Sequence, residues 1–93
     1  MPKRWETKDP SDVLDFSLDW TALLDVGDPI SGTSAVWTLP SGITKDSQSQ
    51  TPTVTTAWIS GGVAGTDYTV TCQIVTVGLR TMNREAILPV RNL

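Results

Sequence analysis

The stretch from Ala57 to Arg80, AWISGGVAGTDYTVTCQIVTVGLR, constrains the fold more than any other part of the chain. It reads as the end of one strand, a glycine-rich turn, a long strand and a second glycine turn. In the long strand Tyr68, Val70, Cys72 and Ile74 fall on one side, and Thr69, Thr71 and Gln73 on the other. Alternation with a period of two marks a strand with one face in a core. The remaining chain has to supply sheet that pairs with this strand or packs over it.

Upstream, Leu14, Phe16, Leu18 and Trp20 alternate with Asp15, Ser17 and Asp19, which predicts a second half-buried strand. Thr21 to Val26 suits a helical turn before Gly27 and Pro29 break it, and Ile30 to Thr33 is a weak strand interrupted by Gly32. Ala35, Trp37 and Leu39 alternate again until Pro40-Ser41-Gly42. Ile43 to Gln50 is polar, with a short strand near Ile43, and SQSQTPT reads as loop or edge because Pro52 cannot join an inner ladder. Thr53 to Ser60 is β-branched and returns to strand. Arg84 to Arg91 forms the last strand, ending near an exposed Leu93.

Six or seven short strands with no helix beyond a turn suggest a sandwich or a small barrel. Asp67-Tyr68 at the start of the long strand, Cys72 within it and Trp37 upstream favour an immunoglobulin-like sandwich. There a tyrosine near the start of the penultimate strand bonds back to the backbone and a tryptophan lies between the sheets. The expectation is an all-β, Ig-like β-sandwich of about seven antiparallel strands without a disulfide, since Cys72 is the only cysteine. Residues 1–10 form an N-terminal arm and residues 11–93 a single Ig-like β domain. Trp5 either leaves that arm extended or docks it onto this domain or a neighbour.

Ninety-three residues support one core, and 39% apolar against 18% charged residues argues against disorder. A net charge of −3 with scattered Lys and Arg argues against nucleic acid as a direct ligand. No apolar run is long enough to span a bilayer, and MPKRWETKD has no apolar segment behind its basic start. The chain is expected to be soluble, made where it is used or carried out by an assembly.

The absence of histidine removes the commonest general base and metal ligand. Cys72 reads as a buried thiol, and zinc would need more N or S ligands. Asp9, Asp12, Asp15, Asp19, Asp25 and Asp28 read as a solvated face; their spacing fits no calcium loop, and a catalytic dyad is remoter still. Ser60-Gly61-Gly62 and Ala64-Gly65 lack the lysine and helix of a phosphate-binding loop and read as turns. No catalytic residue, cofactor or metal site is expected. Arg80 and Arg84 are expected to face a partner, with Asp15 or Asp19 within reach of Arg84 if the first and last strands are neighbours. The candidate partner contacts are Trp5, Arg80, Arg84 and Leu93.

An ordered set of short motifs resembles a known family. Lys8-Asp9-Pro10, Val13-Leu14-Asp15-Phe16 and Asp19-Trp20 are followed by Asp28-x-Ile30, Trp37-x-Leu39-Pro40-x-Gly42 and Trp58-Ile59-Ser60-Gly61-Gly62. Gly65-x-x-Tyr68-x-Val70, Gly78-x-Arg80-Thr81 and Arg84 complete it. From Lys8 to Arg91 the chain resembles small phage proteins known as fiber-tail adaptors. The resemblance implies a non-enzymatic structural protein of a tailed bacteriophage virion, made in the host bacterial cytoplasm. It would need no cofactor and would join tail fibres to the tail or head-to-tail machinery. Its implied partners are other virion proteins, in several copies per virion, with no direct nucleic acid and no membrane. Two other readings stay open. One is a capsid or tail decoration or connector subunit. The other is a carbohydrate-binding Ig-like module that stacks sugars on Trp5, Trp20 or Trp58, where Trp58 and Ile59 compete for the inward face.

Overall fold

Alternating apolar positions become two sheets that close over one core. The computed structural model describes residues 3–32 and 34–93, so Met1 and Pro2 of the expected arm, and Thr33 of the weak strand, lie outside the described residues. Seven strands appear among the described residues: β1 (Lys3–Arg4), β2 (Leu14–Asp19), β3 (Val36–Thr38), β4 (Ile43–Gln50), β5 (Val54–Gly61), β6 (Thr66–Val75) and β7 (Thr81–Val90). One 3-10 turn, Thr21–Leu23, falls where a helical turn was expected. One sheet has the order β1-β7-β6-β3 and the other β2-β5-β4. This is the expected Ig-like sandwich.

The long strand is β6, paired over its full length with β7. Val70, Cys72 and Ile74 are completely buried, as are Ala86 and Leu88 on β7 and Ala57 and Ile59 on β5. Ile59 therefore takes the inward position for which Trp58 competed, and Trp58 remains 41% exposed on the outer face. Phe16, Leu18 and Trp20 point into the same core, while Leu14 sits at its open margin. Burying such side chains stabilises the fold by about 1.5–3 kcal/mol each.

The tyrosine and tryptophan features also appear. Val63 N–H donates to the Tyr68 hydroxyl at 2.9 Å, tying the β5–β6 connection to the start of β6. Gly42 lies under this ring with φ +107°; a Cβ there would meet the hydroxyl at 2.9 Å, so only glycine fits. Trp37 is opposite Cys72 in the β3–β6 register and buried, and its Nε1 has no partner among the described residues.

Two details depart from expectation. β1 runs parallel to β7, with Lys3 opposite Ala86 and Arg4 opposite Ile87, so the strands are not all antiparallel neighbours. Residues 9–13 carry the chain over the end of the sandwich into the other sheet, and no hairpin obliges β1 to oppose β7. The polar Ile43–Gln50 segment is a full eight-residue strand rather than mostly loop. It is an edge strand and needs an apolar side chain only where it meets the core, at Ile43.

Candidate interaction surfaces

The lower end of the sandwich is closed by residues 8–12, 40–42, 61–65 and 90–93. Lys8 is the central group, with no exposed surface. Its ammonium donates to the carbonyls of Gly61 at 2.6 Å and Asp9 at 2.8 Å, and more weakly to Pro10 at 3.4 Å. Its backbone pairs with Pro89 and Arg91. Burial pushes the ammonium pKa down, and the nearby Asp12 and Asp9 carboxylates pull it back up. Gly61, read as a strand-to-strand turn, adopts φ +83° and gives its carbonyl to this lysine.

Asp9 takes the C-terminal tail. It accepts from Leu93 N at 2.9 Å and from the amide and hydroxyl of Ser11 at 2.9 and 2.7 Å. These donors, Leu93 N first, hold its carboxyl down to about 2 from the ordinary 3.8. The Leu93 side chain stays exposed.

The upper end carries the β2–β3 connection and the β6–β7 turn, joined by Asp28. Its carboxylate accepts from Thr76 Oγ1 at 2.8 Å and from Gly78 N at 2.5 Å, while Val77 N donates to Pro29 O. The turn so held includes Leu79 at φ +67°, a left-handed conformation that costs an L-residue about 1–2 kcal/mol. Val26, Val77 and Leu79 are all well exposed here. Arg80 pairs with Asp25 at 2.9 Å on the rim of this apolar tip.

Between the ends, a cleft of about 480 Å³ runs between the edges of β1 and β2, lined by residues that include Trp5, Leu14, Asp15 and Phe16. Trp5 is 6% exposed and belongs to the core; its ring lies 5.0 Å from Phe16 and its Nε1 donates to Ser17 O at 2.9 Å. The tryptophan thus docks onto its own domain. Arg84 is exposed and bonds only the carbonyl of Asn83 among the described residues. It borders a smaller cleft with Asp19 but does not reach ion-pair distance, because β2 and β7 lie in different sheets. Asp19 turns instead to Thr21, whose hydroxyl and amide hold its pKa down.

The four candidate contacts therefore do not form one patch. Arg80 and Leu93 lie at opposite ends, Arg84 lies on an outer face, and Trp5 is interior. Sequence reasoning missed Lys8 and Asp28 as structural centres. Lys8 lies in a polar run beside Asp9 and Asp28 lies beside Pro29, settings in which a charged residue reads as solvated, and their signal was confined to the family motifs Lys8-Asp9-Pro10 and Asp28-x-Ile30. No group of three or more metal-ligating side chains occurs among the described residues. Cys72 donates to Thr55 Oγ1 at 3.6 Å inside the core, and burial raises its pKa. No helix among the described residues is long and apolar enough to cross a membrane.

Such a domain, with its features distributed over ends and edges, belongs to the class of small Ig-like β-sandwich modules. The family model for podophage GP4 fiber-tail adaptor protein gp77 matches residues 8–89, and the chain belongs to that family. Comparison with curated proteins finds no match. The match begins at Lys8, the residue that closes the lower end, and ends one residue before Val90, which packs against Gly62.

Proposed function

We propose that this chain is a non-enzymatic structural subunit of a tailed bacteriophage virion that joins tail fibres to the tail or head-to-tail machinery in several copies. The family match over residues 8–89 carries the reading. The distribution of surface features supports it. The sandwich is 43 Å along its longest axis, with the apolar tip at Val26, Val77 and Leu79 at one end and the Asp9–Leu93 tether at the other. Two separated surfaces suit a part that touches two neighbours at once. The chemistry is that of docking: the chain contains no histidine, and its one thiol is buried and held by Thr55. Trp5, Trp20 and Trp37 are all buried, which leaves Trp58 alone to stack a sugar and weighs against a carbohydrate-binding role.

Deletion from the phage genome tests this. Particles assembled without the chain should keep heads and packaged DNA but carry no fibres, and supplied protein should restore them. Normally fibred particles lacking the chain would refute the proposal.

A further inference from the structure

The β2-β5-β4 sheet stops at β2, where an Ig-like sheet of the ABED kind would carry one more strand. The chain's own first strand has gone to β7 in the opposite sheet instead. β2 meets β5 through Leu14, Phe16 and Leu18, a phase fixed by the bond from Trp20 N to Thr53 O. Asp15, Ser17 and Asp19 therefore turn their backbone N–H and C=O groups to the open side. Among the described residues, only the Ser17 carbonyl finds a partner on that side, the Trp5 indole, and a carbonyl retains a second lone pair.

The other edges are closed or short. β4 is interrupted by a bulge between Lys45 and Ser47. Its Gln48 and Gln50 side chains bond Ala35 O and Ala35 N just before β3, at 3.0 and 3.2 Å, stitching those two edges together. β1 is only two residues long and carries Lys3 and Arg4. These are the usual means of blocking edge-to-edge pairing. β2 is six residues and about 20 Å long and pairs with β5 without a register shift; its only edge protection of this kind is the acidic pair Asp15 and Asp19.

We infer that the β2 edge receives an extended segment of a partner protein as a fourth strand, with alternating apolar and basic side chains. This names the chemistry of one contact and rests on the adaptor reading only for the partner's source. Backbone groups at strand spacing select an extended polypeptide over any other occupant. Side chains of the incoming strand that point inward enter the cleft at the exposed Leu14, over the nearly buried Trp5 and Phe16, which asks for apolar residues there, while Lys3, Arg4 and Glu6 line the cleft on the β1 side. Side chains that point outward lie beside the exposed row Asp15, Ser17, Asp19, with Asp12 before it, which asks for lysine or arginine. The same acidic row disfavours pairing of β2 with its counterpart in a second copy.

The test uses the full chain and an octapeptide alternating lysine and valine, with a glutamate–valine octapeptide as control. Amide hydrogen exchange is read residue by residue by NMR. The lysine peptide should slow exchange at Asp15, Ser17 and Asp19 by about tenfold or more, and the glutamate peptide should not. Ser17→Pro removes the outward N–H together with the Ser17–Thr56 hydroxyl bond and should abolish the protection; Ser17→Ala removes that hydroxyl bond alone and should keep it. Where Ser17→Pro does not fold, Asp15→Lys with Asp19→Lys should exchange the preference between the two peptides. Absence of slowing, equal slowing by both peptides, protection surviving Ser17→Pro, or protection in concentrated peptide-free protein would each overturn the inference. None of these results bears on whether fibres need the chain.

Discussion

Replacing Lys8 by methionine decides between two opposed effects of a buried charge. The substitution keeps an unbranched stem of similar length and removes the ammonium. Lost are two good charged hydrogen bonds, to Gly61 O at 2.6 Å and Asp9 O at 2.8 Å, and one long one to Pro10 O at 3.4 Å. A bond to a charged group contributes about 1.5–3 kcal/mol net, which sets a gross loss of roughly 3–6 kcal/mol for the two good ones. Relief of the ammonium's desolvation, the effect that lowers its pKa, offsets part of this. Water reaching Asp9 and Pro10, which are only half-buried, offsets more. A net destabilisation of about 2–4 kcal/mol remains, a fall in Tm of at least 10 °C or so for a domain of this size. Thermal melting followed by tryptophan fluorescence measures it, with the exposed Lys3→Met as control, expected within about 0.5 kcal/mol of wild type. A Lys8→Met protein that melts at or above the wild-type temperature would show that desolvation outweighs the three carbonyls, and the account of the lower end would be wrong.

Tyr68→Phe leaves the partly buried Val63 N–H without its acceptor and should cost about 1–2 kcal/mol in urea unfolding, with an unchanged m-value. Because Asp9 titrates at about 2 in the folded chain against an ordinary 3.8, its contribution to stability is complete above pH 3.8 and is lost as the pH falls towards 2. Asp9→Asn should flatten the melting curve against pH in that window, whereas an unaltered slope there would assign the acid sensitivity to other carboxylates. Arg80→Glu breaks an exposed pair with Asp25 and should change stability by less than about 1 kcal/mol while weakening incorporation into particles, measured by quantitative gel analysis of purified virions. Normal incorporation would remove Arg80 from the contact surface.

Period-two patterning made the core faces of β2 and β6 legible, because a strand has only two sides and one was consistently apolar. Tyr68 and Trp37 pointed to the correct sandwich for the reason that holds in the structure: one bonds a backbone amide across a corner, and the other lies at the sheet interface. β4 was hard to read because an edge strand pairs through its backbone, and ITKDSQSQ gives its polar side chains to solvent or to Ala35 rather than to a periodic face. Lys8 and Asp28 act through contacts with residues 53 and 50 positions away, at Gly61 and Gly78, and no local pattern encodes such contacts. Trp58 and Ile59 are neighbours in an apolar run; their faces are set by the register of β5 against β2 and β4, a property of the sheet.

The most direct test of the adaptor reading is a cryo-EM reconstruction of the complete tail at side-chain resolution. The account predicts density for this sandwich between the tail and the base of each fibre, with separate surfaces of one copy against each neighbour. Fibres joined to the tail without this chain between them, or a chain found only on the outer surface of the capsid, would contradict it.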